Sequence, residues 1–475
     1  MLKRKMVGSL TLMVVGALVL SLGLGKLIAA QPKAGIRGEV VDTLTDLGGA
    51  EMLAVSKDGT FTVVVGDKTV TLVEIGDDRL SVKGTYELDP SLYPEKSAAA
   101  EFTGVAISPA GDFALVAVKD DDEANLKTFD EVPGKVVALS LPDLKVLGQV
   151  TVGRGPDSVA IAPNGQFAVV ANEDEENEED LANLENRPGT LSVIDLRNGP
   201  QQMSQVEVPI PSEGIPFFAH DPQPETVRIA ADSSYAIATL QENNAIARLD
   251  IPAQLPTPLR AEAFTVTNFD AGVRTGFGLT QHKVGEGKCR SSAYNLDDRQ
   301  EFFSAREPDG IAISPDGRFW VTADEDNLTG VNQQSREGKP ISRHGSRTLS
   351  VYDAQTGKLL GDSGNSIEEA VIAAKLPMRC NSKGPEPEVV SVGEVEGRTL
   401  AFVSLERSDA ITLHDITDPA NIQLLDLVIL NPGIVAQDKA AELEPEGIEF
   451  IPGRNLVVVS NPKNNSLSLV RIQTR

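Results

Sequence analysis

Residues 156–177 read PDSVAIAPNGQFAVVANEDEEN. A short apolar strand, a turn at Pro163, Asn164 and Gly165, and a second strand rich in Val and Ala lead into an acidic turn. The same unit returns at 308–327 as PDGIAISPDGRFWVTADEDN and at 445–472 as PEGIEFIPGRNLVVVSNPKNNSLSLVRI. Looser copies stand at 49–75, 102–122, 224–251 and 387–416, the first reading GAEMLAVSKDGTFTVVVGDKTVTLVEI. Each copy supplies a third strand after a polar turn. Short strands at regular spacing, joined by Gly, Asp and Asn turns, are the signature of radial sheets.

The runs FALVAV (113–118) and LVVVS (456–460) are apolar without alternation. Such strands are covered on both faces, as between neighbouring blades. The sequence therefore predicts an all-β fold, a seven-bladed β-propeller of four-stranded antiparallel blades. The last copy ends after three strands, and IRGEVVDTLTDLG (36–48) has strand character. We expect that segment to complete the last blade and close the ring, which removes an open edge. One domain is expected over 31–475, with a long insertion around 252–306 that includes Cys289. Insertions of this length on a rigid scaffold commonly carry function.

Residues 1–30 hold Lys3, Arg4 and Lys5, an apolar run to about Leu24, and the small Ala29 and Ala30 before Gln31. This pattern predicts an export signal, with an uncleaved membrane anchor as the alternative, and hence a periplasmic, cell-surface or secreted protein. In an exported chain the two cysteines, Cys289 and Cys380, are expected to pair. Lys and Arg number 43 against 69 Asp and Glu, a net charge of −26. That field repels phosphate backbones, so nucleic acid is excluded as a partner and divalent cations or basic surfaces are favoured. An acidic surface kept for solubility explains the same charge.

In a meander blade, the start of the first strand and the turn after the second share one face of the disc. Both places are acidic here. Glu51, Asp157, Glu225, Asp309, Glu388 and Glu446 stand at the inner-strand starts, and only Thr103 departs. Asp120, Glu173, Glu242, Glu325 and Glu406 follow the second strands. Crowded carboxylates raise one another's pKa unless a cation intervenes, and Ca²⁺ accepts roughly six to eight oxygens with little demand on geometry. Two readings of the ring stand: a Ca²⁺ site, or caps on the backbone of the adjacent blade. Arg154, His220, Arg343, His344 and Arg407 are candidates to receive an anion, solvated loop residues being the plainer reading. The chain has no G-x-S-x-G, no phosphate-cradling Gly loop and no H-E-x-x-H. DEDNLTG (324–330) fails as an EF-hand because Leu328 occupies a ligand position.

TLQENNAIARLDI, PDGIAISPDGRFWVTADEDN, FVSLERSDAITLHDITDPAN and EPEGIEFIPGRNLVVVSN resemble the choice-of-anchor I family, related to mesenchyme-specific cell-surface glycoproteins. The likeness runs from about 152 to the end of the chain. It implies a seven-bladed, exported propeller, associated in animals with cells that lay down calcium mineral; some bacterial relatives carry an alkaline phosphatase label. Pro308, Asp309, Glu325, Glu406, Arg407, Pro445, Glu446 and Asn461 match directly. Two functions follow as expectations. One is an exported Ca²⁺-holding binding protein whose partners are a cell-surface or extracellular protein or mineral. The other is a metal-dependent phosphoester hydrolase.

Overall fold

The computed structural model holds seven four-stranded antiparallel sheets; six are meanders in chain order from inner to outer strand, and the seventh takes its outer strand from the start of the described chain. The structure describes residues 35–122, 125, 132–174, 188–279, 289–290, 299–325, 335–336, 339–340, 346–378, 384–436 and 441–474. The inner strands of blades 1 to 7 are Met52–Val55, Ala100–Ile107, Pro156–Ile161, Pro224–Ile229, Pro308–Ile313, Pro387–Val395 and Ile448–Ile451. Each touches the next around the ring, and the seventh touches the first. Ala34–Arg475 is one compact unit.

The continuous apolar runs have a direct cause. Along Phe167–Asn172, Ala168 and Val170 pack toward blade 2 with Leu115 and Ala138, while Val169 and Ala171 pack toward blade 4 with Ala236 and Leu249. Successive side chains of a strand point to opposite faces. A strand clamped between two blades must therefore be apolar at every position. The turns that link first to second strands are equally local in origin. In blade 5 the Ser314 hydroxyl oxygen accepts from Phe319 N at 3.0 Å, and Gly317 sits at φ 70°, where a side chain would be strained.

The ring closes as the sequence predicts. Ile36–Leu44 pairs antiparallel with Ser466–Thr474 and becomes the outer strand of blade 7. It also bridges to both neighbours. Gly38 N donates to Asp426 Oδ2 of blade 6 at 2.9 Å, and Leu80 N of blade 1 donates to Asp42 Oδ2 at 2.7 Å.

The span expected to be an insertion is in part a blade. Thr265–Asp270 is the outer strand of blade 4, and the excursion beyond it includes a ribbon of Val273–Leu279 with Arg299–Ala305. Cys289 lies opposite Met378 in a two-residue pairing, but Cys380 lies outside the described residues, as do residues 1–34 with their expected signal. Among the described residues, no helix is long and apolar enough to cross a membrane.

Candidate metal site at the acidic mouth

A local irregularity aims the mouth residues. In blades 2 to 6 the register between first and second strands shifts at the position after the mouth proline or its equivalent, a β-bulge. Bulges bend a strand and redirect its side chains. Thr103, Asp157, Glu225, Asp309 and Glu388 all lie within these shifts. The bulged strands press closely on one another. A Cβ on Gly310 would stand 2.6 Å from the Glu388 carbonyl oxygen, so the residue after Asp309 has no room for a side chain.

Ten of the eleven acidic candidates, all but Asp120, belong to one electrostatic neighbourhood. Burial, then repulsion from Glu446, Glu101 and Asp157, pushes Glu51 up to about 8. Burial and Asp157 push Glu446 up to about 7, with Arg407 opposing. Glu225 is raised by burial and by Glu173, Glu242, Asp157 and Glu388. Asp309 is raised by burial, then by Glu225, Glu388 and Glu325. Burial, Glu388 and Glu386 push Glu406 up to about 12.

Within this neighbourhood the carboxylates converge in two triads. One is Asp309, Glu325 and Glu388, the other Glu325, Glu386 and Glu406, with ligand oxygens in each lying within 4.8 Å of one another. Glu325 is common to both. Gln241 Nε2 donates to Glu325 Oε2 at 2.5 Å and to Asp309 Oδ2 at 3.5 Å. Glu225 Oε2 is buried with no hydrogen-bond partner among the described residues. Oxygen donors packed this closely suit a hard cation such as Ca²⁺ in number and in kind.

Hydroxyl groups latch several of the blades. Thr103 Oγ1 donates to the Pro156 carbonyl at 2.6 Å, Ser404 Oγ to that of Glu446 at 2.7 Å, and Ser460 Oγ to that of Glu51. The carboxylates of Glu51, Glu225 and Glu446 accept no backbone N–H among the described residues. Asp120 stands apart from the triads, held by Ser97 and by Asn125 Nδ2 at 3.0 Å.

The anion candidates are placed differently. Arg407 Nε meets Glu386 Oε2 at 2.6 Å, and its Nη1 meets Glu406 at 2.7 Å and Glu444 at 2.9 Å. Arg154 Nη2 pairs with Asp174 at 2.6 Å. His220 is exposed, and Arg343 and His344 lie outside the described residues. So does most of the acidic turn after Asp174, whereas Glu173 joins the ring.

Sequence reading missed Glu386, Gln241 and Glu444. Glu386 and Glu444 precede the mouth prolines of blades 6 and 7 and take φ 53° and 49°, where Gly155 stands in blade 3 at φ 50°. Non-glycine residues there are strained, and such strain concentrates at functional sites. The signal lay in the triplet E-P-E, which places a third acid beside the repeated pair. Asp409 was also missed: its carboxylate accepts the N–H groups of Glu442, Leu443 and Glu444 and so fixes the approach to blade 7.

Comparison with known proteins agrees with this architecture. The hydrazine synthase of Kuenenia stuttgartiensis aligns at a TM-score of 0.54 and 15% identity, over 90% of this chain and 97% of that one. The Cps50 (Swd1) β-propeller domain of Myceliophteria thermophila aligns at 0.52 and 11% identity, over 91% and 99%. At such identities the likeness shows the fold alone. No curated protein matches the chain. A sequence model of the choice-of-anchor I domain matches residues 51–261 and 326–419, more than half of the chain and the greater part of the blades that form the mouth. The chain thus belongs to the choice-of-anchor I family, whose membership implies in general an exported or cell-surface-associated protein.

Proposed function

We propose that the acidic mouth is a Ca²⁺ site and that the protein is an exported propeller whose task is binding, in adhesion or mineral handling at the cell surface. The observation that carries this reading is Glu325, shared by two triads of carboxylates close enough for one ion to span each. A buried, unpartnered Glu225 oxygen in the same neighbourhood supports it. The side chains named would supply the oxygens, and the ion would relieve the repulsion that now holds protons on the ring. The hydrolase reading has less support, because Arg407, beside the second triad, is already engaged by three carboxylates and is not left for a phosphate.

Thermal unfolding tests the proposal. Glu51 and Glu446, at about 8 and about 7 in the fold, have ordinary values of 4.5. Between those limits the folded state binds more protons than the unfolded chain, so without a cation stability falls as pH rises from about 5 to about 8. Calcium is expected to restore it at the upper end and do little at the lower. At roughly a hundredfold excess over Kd the gain is about 2.7 kcal/mol. Glu325→Gln should remove most of that gain. Identical melting in calcium and in chelator at pH about 8 would end the proposal.

A further inference from the structure

Three residues beyond each mouth position, the inner strands present a second ring to the axis. Five of its members are small: Ala54, Ala106, Ala160, Ala312 and Ser391. Blade 4 places Arg228 there and blade 7 places Glu449. Inner strands of all seven blades line a cavity of about 330 Å³ at this level, and it includes both charged residues. That volume lies at the lower end of the range for small-molecule sites.

Each charge is poorly served by the protein. Arg228 makes one hydrogen bond among the described residues, from Nη1 to the carbonyl of the adjacent Val227 at 2.9 Å. A guanidinium has five N–H donors, so most of this one's are left to the cavity. Among the described residues Glu449 accepts only from Val55 N, at 2.8 Å to Oε2. Blades 4 and 7 lie on opposite sides of a seven-membered ring, and the two side chains form no direct ion pair among the described residues. They still sense each other. Burial lowers the Arg228 pKa and Glu449 raises it, while burial pushes Glu449 up to about 7 against the pull of Val55 N–H and Arg228. Two partly buried, opposite charges held apart across a space are less well satisfied than a pair that something bridges.

We propose that this axial chamber binds a small zwitterion, its carboxylate on Arg228 and its ammonium on Glu449. The lining is mainly polar, with aliphatic Val105, Val159, Ile229, Ile313 and Val390 among it, and leaves room for a short hydrocarbon spacer. A net-neutral molecule also passes an acidic mouth that would repel a simple anion. The small residues are part of the device: with larger side chains at Ala160 or Ala312 the space would close. Neither residue of the pair is a mouth carboxylate, so the site stands without calcium.

The test is isothermal titration calorimetry of the full chain in chelator, with glycine, β-alanine and 4-aminobutyrate as probes and propionate and propylamine as half-probes. The expected result is one site per chain for the best-fitting zwitterion, at least about tenfold tighter than either half-probe. Arg228→Met and Glu449→Gln should each weaken binding by about tenfold or more, the first by unpairing the carboxylate and the second by unpairing the ammonium. Ala160→Leu, which fills the chamber and leaves its charges alone, should abolish binding. If Arg228→Met does not fold, the other two variants decide. Silence from all three zwitterions up to about 10 mM would overturn the proposal. So would a half-probe that binds as tightly, or well-folded variants that bind like the parent.

Discussion

His414 is wholly buried in the third strand of blade 6, and neither ring nitrogen finds a hydrogen-bond partner among the described residues. Burial lowers its pKa from 6.5 to about 3. Below about pH 6.5 the unfolded chain takes up a proton that the folded chain refuses, so this residue withdraws about 1.4 kcal/mol per pH unit until the fold itself protonates. His414→Leu is expected to gain stability over the parent progressively as pH falls from about 6 to about 4, and to be equal or higher at neutral pH. Chemical denaturation across that range checks this, and a variant-minus-parent difference that does not change with pH would contradict it. Single residues were legible in the sequence only where they repeat. The Pro-Asp and Pro-Glu pairs mark the mouth in five blades, which is why five of its six acidic inner positions could be named from the pair and Glu51 from its place in the repeat. Arg228 and Glu449 break a ring of small residues, and a break is visible only after the repeats are aligned. Gln241 had no such marker, because its role comes from a contact with Glu325 of the next blade.

At the scale of the strand, the bulge is the functional device. In blades 3 to 6 it turns the mouth residue out of the sheet while the next positions resume pairing, so one strand can both offer a carboxylate and hold its neighbour. Gly310 shows how tight this is, since its hypothetical Cβ meets both the Glu388 carbonyl oxygen and Val389 Cα at 2.6 Å. Gly310→Ala must displace the backbone that carries Glu388, at a cost of about 1–3 kcal/mol. It should lower Tm and also shrink the calcium-induced rise, because Asp309 and Glu388 belong to the same triad. A variant that loses Tm but keeps the full calcium response would separate the bulge from the site. Strand identities were readable from apolar runs, whereas the bulges were not. They arise where a strand start meets the adjacent blade, a tertiary constraint with no local signature in the sequence.

Across the whole molecule, closure and charge act together. The strand Ile36–Leu44 ties the chain's two ends into one blade and hydrogen-bonds to the blades on either side, so the ring is held rigid around its axis. Both features were open to sequence reading, because a repeat that lacks one strand and an unassigned strand at the other end have one economical solution. A rigid ring cannot relax to separate its own carboxylates, and that is what makes the mouth a place of stored repulsion. Some of the sequence's excess of acid is therefore concentrated where neither distance nor solvent can dilute it. The most direct measurement is elemental analysis of the protein purified from its native host without chelator, beside Glu325→Gln prepared in the same way. The account predicts stoichiometric calcium in the parent and its loss in the variant. A parent chain free of divalent metal, or a variant that retains the parent's content, would contradict it.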